Sequence, residues 1–121
     1  MPCGRWVESM VLYDVIISPK ALSQLNEYVD YIQYTLLNPQ AAELVWQDAI
    51  ATRDQLSTVA GSLGLCRNQT LRDLGYRCIG FKKHKYAMLY TVDGTTAYVD
   101  AIYHMQQDYE NTFANEVNTW E

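Results

Sequence analysis

Long apolar stretches are missing from this sequence: runs such as residues 15–17 and 86–90 stop after three to five residues. A membrane-spanning helix needs about 20, so none is expected here. The first ten residues, MPCGRWVESM, hold no apolar core of the kind a secretory signal carries, and no lipidation box is present. The expected location is therefore cytoplasmic, with no membrane partner. Cysteine is scarce and odd in number. Cys3, Cys66 and Cys78 form no C-x-x-C and have no His pair nearby, which disfavours both a disulfide framework and a zinc site and leaves three free thiols. Glycine-rich phosphate cradles are absent too, because Gly61-Ser62-Leu63-Gly64 is not followed by Lys. Neither H-E-x-x-H nor G-x-S-x-G occurs, so zinc-protease and serine-hydrolase chemistry have no support. No metal and no cofactor is expected.

What is there fits one small domain. The chain has 121 residues, 49% apolar and 19% charged, enough to bury a core without a staple. The reading is a ragged extension over residues 1–9 and a single domain over residues 10–121. The formal net charge is −5, which repels nucleic acid at long range. The cations are nevertheless concentrated: Arg67, Arg72, Arg77, Lys82, Lys83 and Lys85 are six of the nine, and His84 lies among them. A local basic surface on an acidic body is the first feature that points beyond packing.

The run from Leu12 to Ser18 is β-branched and alternating, and reads as a first strand. Ser18-Pro19 then supplies an N-cap and a first-turn proline. Leu22, Leu25, Val29, Ile32 and Leu36 recur at helical spacing, predicting a helix of about five turns. Asn38-Pro39 repeats the punctuation, and Ala42, Val45, Ala49 and Leu56, with Trp46 and Ile50, give a second stripe. Between residues 57 and 75 the periodicity fades into a connection. Three aromatic and β-branched runs follow, broken by a charged turn at residues 83–85 and by Asp93-Gly94, a hairpin signal. Tyr109, Phe113, Val117 and Trp120 then allow a short amphipathic helix after Asp108. The expected fold is α+β in the order β-α-α-β-β-β plus a short C-terminal helix. The helical hairpin packs on one face of a mainly antiparallel four-stranded sheet, and the other face is left bare.

The residues with chemical potential are His104 and Tyr103 at the end of the last strand, and the basic stretch before it. Cleavage of RNA by its own 2′-hydroxyl needs a base, an acid and cations for the phosphorane charge, which His, Tyr, Lys and Arg supply without metal. Strict alternation puts His104 on one face with Ile102 and Asp100, and turns Tyr103 towards the helices. A surface histidine at a strand end and a tyrosine in packing fit the same composition. Charged residues at a solvated hairpin tip likewise account for the turn, and Arg72 and Arg77 fit carboxylate pairing as well as phosphate binding.

The opening strand followed by S-P-x-A and a helix, the L-R-x-L-G-Y-R approach to the second strand, M-L-Y-x-V-D-G, and the closing V-D-x-I-Y-H before Q-D occur in order. In these the chain resembles the RelE/ParE superfamily of toxins from bacterial type II toxin–antitoxin modules, also called plasmid stabilisation system proteins. That resemblance implies a RelE-like fold, a cognate antitoxin as partner, and a homodimer or a heterotetramer with that antitoxin. It also implies one of two activities: ribosome-dependent cleavage of mRNA that inhibits translation, or poisoning of DNA gyrase without nuclease activity; an inactive antitoxin-binding member is a third case. For the metal-independent endoribonuclease, it assigns proton transfer to His104 and Tyr103 and the phosphate cation to Arg77. Arg72, Lys82, Lys83, His84 and Lys85 fall where such nucleases hold RNA. Tyr109, Phe113, Val117 and Trp120 are the expected antitoxin contacts. One departure stands out. Many nuclease members begin the third strand with an Arg aimed at the scissile phosphate, and here that position is Ala87, leaving Arg77 or His84 to replace it.

Overall fold

The computed structural model describes residues 12–119; the expected N-terminal extension and Trp120 lie outside them. Strand β1 (Asp14–Ile17) leads into helix α1 (Pro19–Asp30). The Ser18 hydroxyl accepts from the Ala21 N–H at 3.0 Å with Pro19 in the first turn, as the sequence punctuation requires. The stripe does not continue as one α-helix. The chain widens into a π turn (Tyr31–Thr35), and Leu37 then takes a left-handed φ of 53°, a conformation that costs a non-glycine residue about 1 kcal/mol. Asn38 caps the next helix, α2 (Pro39–Val59), through its Oδ1 on the Ala41 N–H at 3.1 Å.

After α2, a 3₁₀ turn (Ala60–Ser62) and a five-residue helix, α3 (Gln69–Asp73), occupy the connection whose periodicity fades. Strands β2 (Arg77–Gly80), β3 (Tyr86–Asp93) and β4 (Thr96–His104) form the meander. The sheet order is β1-β4-β3-β2, with β1 parallel to β4 and the other pairs antiparallel. Gly94 makes the β3–β4 turn at φ 62°, where a side chain would be strained.

One irregularity reorients the end of β4. Tyr90 pairs with Val99 but Leu89 pairs with Ala101, so Asp100 is an extra residue, a β-bulge. Val99 and Ile102 consequently both face the helical hairpin, in a core with Leu25, Val45, Leu56 and Met88. Ala101 and Tyr103 face the opposite side. The alternation inferred from sequence is therefore corrected: Tyr103 faces away from the hairpin, and His104, paired with Tyr86, faces towards it.

The opposite face is not bare. Helix α4 (Tyr109–Thr119) lies against it, and Phe113, Ala114 and Val117 are buried with Leu71, Tyr76, Leu89 and Tyr103. Complete burial of a ring such as Phe113 is worth about 3 kcal/mol, so α4 is a second layer of the core rather than a frayed tail. Lys20 on α1 makes an ion pair with Glu116 on α4, and Tyr103 Oη donates to the same carboxylate at 2.9 Å.

Beyond its pairing with β1, the outer edge of β4 is closed by α1. Ser18 N–H donates to Val99 O at 2.9 Å, and the Ser18 hydroxyl to Asp100 O at 3.3 Å. Ile102 N–H donates to Gln24 Oε1 at 2.9 Å, and His104 N–H to Tyr28 Oη at 3.3 Å. Side chains of one helix thus satisfy backbone groups that a further strand would otherwise claim.

Candidate functional site

The site is built at the end of β4. His104 is half-buried, and its ring stands edge-on to Tyr86 with centroids 5.0 Å apart. Tyr86 in turn meets Tyr28 at 5.0 Å and Phe81 at 5.5 Å. His104 Nδ1 accepts the Gln106 N–H at 3.1 Å, which in the neutral ring leaves the proton on Nε2. Burial pushes the phenols of Tyr28 and Tyr86 above the usual tyrosine value, more than the His104 N–H on Tyr28 lowers its own. Both hydroxyls therefore stay protonated at neutral pH and act as hydrogen-bonding groups rather than bases.

The turn over residues 82–85 is the neighbour of this cluster. Met105 N–H donates to Lys85 O at 2.8 Å and Tyr86 N–H to His84 O at 3.0 Å, tying the turn to the end of β4. Lys82, Lys83 and Lys85 are exposed, so a phosphate can reach them. His84 is committed elsewhere. Its Nδ1 lies 2.8 Å from Asp48 Oδ2, and the Lys83 N–H donates to the same oxygen at 2.9 Å. Burial raises the Asp48 carboxyl, which is 5% exposed, but the His84 and Lys83 hydrogen bonds outweigh it and hold the group below the usual carboxylate range. His84 is thus a clamp on α2 rather than a spare cation for Ala87. Sequence reading missed Asp48, although an acid three residues after Val45, on the apolar stripe of α2, is a signal that something must pair with it.

Two other expected residues are not brought here. Arg77 pairs with Tyr90, four residues along β3 from Tyr86, a separation of about 13 Å along the sheet. Its guanidinium donates to Leu63 O. Arg72 on α3 is exposed and reaches Cys66 O at 3.4 Å. Among the described residues neither forms a carboxylate pair, and neither stands beside His104. Tyr103 is 4% exposed under α4, where burial raises its phenol more than a Gln24 hydrogen bond lowers it, and its hydroxyl donates to Glu116 on α4. Phe113 and Val117 are core, so their side chains do not offer the exposed antitoxin surface expected of them. Tyr109 packs at the margin of the same cluster.

A second concave region lies on the α4 side of the sheet, beside the edge strand β2: a polar cleft of about 690 Å³ lined by Cys66, Arg67, Cys78, Gln107 and Glu110 among others. Cys66, Cys78 and Glu110 form the metal-ligand-type cluster found among the described residues.

The fold is shared, over about three quarters of the chain, with chains of solved toxin–antitoxin structures. A chain of the chromosomal ParDE TA system from P. aeruginosa superposes with a TM-score of 0.64 at 19% identity, covering 77% of this chain and 96% of that one. The fold is RelE-like. A chain of the toxin–antitoxin complex RelBE2 from Mycobacterium tuberculosis gives a TM-score of 0.50 at 22% identity, over 78% of this chain and 93% of that one. No protein-family model matches the sequence, and no curated protein matches it. In this RelE-like frame His104 closes the last strand and the basic turn lies beside it. Among the described residues no helix is long and apolar enough to cross a membrane.

Proposed function

We propose that this chain is the toxin of a type II toxin–antitoxin module and cleaves mRNA on the ribosome without a metal ion. The observation that carries the reading is the junction of His104 with the exposed lysines of the 82–85 turn, fastened by Met105 N–H on Lys85 O at 2.8 Å. In this reading Lys82, Lys83 and Lys85 hold the RNA backbone. His104 Nε2, carrying the proton because Nδ1 is occupied by Gln106 N–H, donates to the leaving 5′ oxygen as the 2′-hydroxyl attacks the phosphorus and gives up its own proton to solvent water. Lys85 takes the role of the phosphate cation, since Arg77 is held on Leu63 O and His84 on Asp48. An antitoxin neutralises the toxin by covering this end of the sheet.

The test is brief induction of the chain in cells without its antitoxin, with new mRNA 5′ ends mapped across the transcriptome. Fresh ends within translated codons are expected, and they should vanish with His104→Ala. Cleavage that survives His104→Ala would remove the assignment. A second reading, a gyrase poison, is favoured by one feature. The tip of the helical hairpin exposes Tyr31, Tyr34, Leu36, Leu37 and Leu44, with Leu37 at 79%, and large exposed apolar side chains of this kind are available to bind protein. Growth arrest with intact mRNA and induced DNA damage would support that reading instead.

A further inference from the structure

Cys66 and Cys78 are free thiols, yet their sulfur atoms are 2.6 Å apart. Ordinary contact between non-bonded heavy atoms is about 3.5–4.0 Å, and a disulfide bond is about 2.05 Å. The proximity follows from strand pairing. Leu65 bridges Arg77 and Cys66 N–H donates to Tyr76 O at 2.9 Å, so Cys66 faces the same side as Tyr76 and, one step of the pleat further, Cys78. All three belong to the layer under α4. Both cysteines line the polar cleft of about 690 Å³, and Cys78 is half-buried whereas Cys66 is 2% exposed. A small thiol reagent therefore meets Cys78 first.

We propose that Cys66 and Cys78 are a redox site, a dithiol that closes to an intramolecular disulfide by exchange with a small-molecule disulfide. In the first step the Cys78 sulfur, having lost its proton to solvent, attacks one sulfur of the reagent. That forms a mixed disulfide and releases one reagent thiol. In the second, the Cys66 sulfur, also deprotonated, attacks Cys78 Sγ and expels the second reagent thiol. The protein loses two electrons and two protons, and one reagent disulfide becomes two thiols. Contact with Cys66, burial and the Glu110 carboxylate, whose Oε2 lies 4.0 Å from Cys78 Sγ, all raise the Cys78 thiol. Exchange is accordingly slow near neutrality and quickens as pH rises. Closure fastens the segment before α3 to the edge strand β2, fixing the stretch that bears Arg67 and Arg72.

The experiment uses the full chain with Cys3→Ser, which removes the third thiol, incubated natively with oxidised glutathione. Both remaining thiols should be lost together, with a mass lower by two hydrogens and no retained glutathione. Trypsin should then release residues 54–67 linked to residues 78–82, and the thermal midpoint should rise by roughly 10 °C. A glutathione adduct persisting on Cys78 while Cys66 remains alkylatable would overturn the proposal, as would pairing seen only after denaturation. A reduced chain that binds zinc through Cys66, Cys78 and Glu110 and resists oxidation would overturn it too. Cys66→Ala should trap the mixed disulfide at Cys78; an adduct absent from Cys78 in that variant counts against the order of attack and the site.

Discussion

Cations that are close neighbours in sequence end at opposite ends of the sheet, and the two ends are held differently. At one end Lys82, Lys83 and Lys85 project from a turn that α2 anchors through Asp48. At the other, Arg72 and Arg77 are turned onto the carbonyls of Cys66 and Leu63. Strand β2 lies between them. A basic stretch in sequence is thus not one basic surface, and a charged side chain with a backbone acceptor already in place is part of the scaffold rather than an anchor for ligand.

The difference between the ends can be broken in several ways. His104→Ala should have the largest effect, a loss of about 10²–10⁴-fold in the rate of mRNA cleavage in a translating extract, with an unchanged circular dichroism spectrum. Replacing Lys82, Lys83 and Lys85 together by Ala should flatten the salt dependence of RNA binding by about three charges' worth of slope. Replacing Arg72 and Arg77 should leave that slope as it is; equal losses from the two sets would abolish the distinction. Asp48→Ala should destabilise the chain by about 2 kcal/mol in urea denaturation, through the hydrogen bonds lost from a buried acceptor. The same pairing sets a pH dependence. The Asp48 carboxyl is depressed in the folded chain, so its contribution is complete above the unfolded value of about 3.9 and is lost as pH falls through the folded value. Wild type should lose more stability than Asp48→Ala in that acid range. The smallest effect is expected of Arg77→Ala, about 1 kcal/mol of stability with cleavage unchanged.

Much of the architecture was readable in advance because local signals agreed. Ser18-Pro19 and Asn38-Pro39 cap helices as their side chains dictate, and Asp93-Gly94 turns the hairpin. His104 was legible as a strand end. What escaped depends on contacts distant in sequence. The extra residue at Asp100 carries no compositional mark, and it reverses the faces assigned to Tyr103 and His104. The α4 stripe has the same spacing whether it meets a partner or its own sheet, and only the sheet face explains the burial of Phe113. His84 looked like one more cation in a basic turn because Asp48, which claims it, lies 36 positions away.

The bulge at Asp100 has a consequence for length variation. Downstream of it, each side chain of β4 takes the face of its partner on β3, and Asp100 itself pairs with none. A chain lacking Asp100 would therefore run as a regular ladder, with Ala101 still opposite Leu89 and His104 still opposite Tyr86, and would lose the acceptor of the Tyr76 hydroxyl. Pairing Asp100 with Leu89 instead would turn the imidazole under α4 and the Tyr103 ring towards the hairpin, so the added residue is spare length that the strand can lose while keeping the contents of both layers.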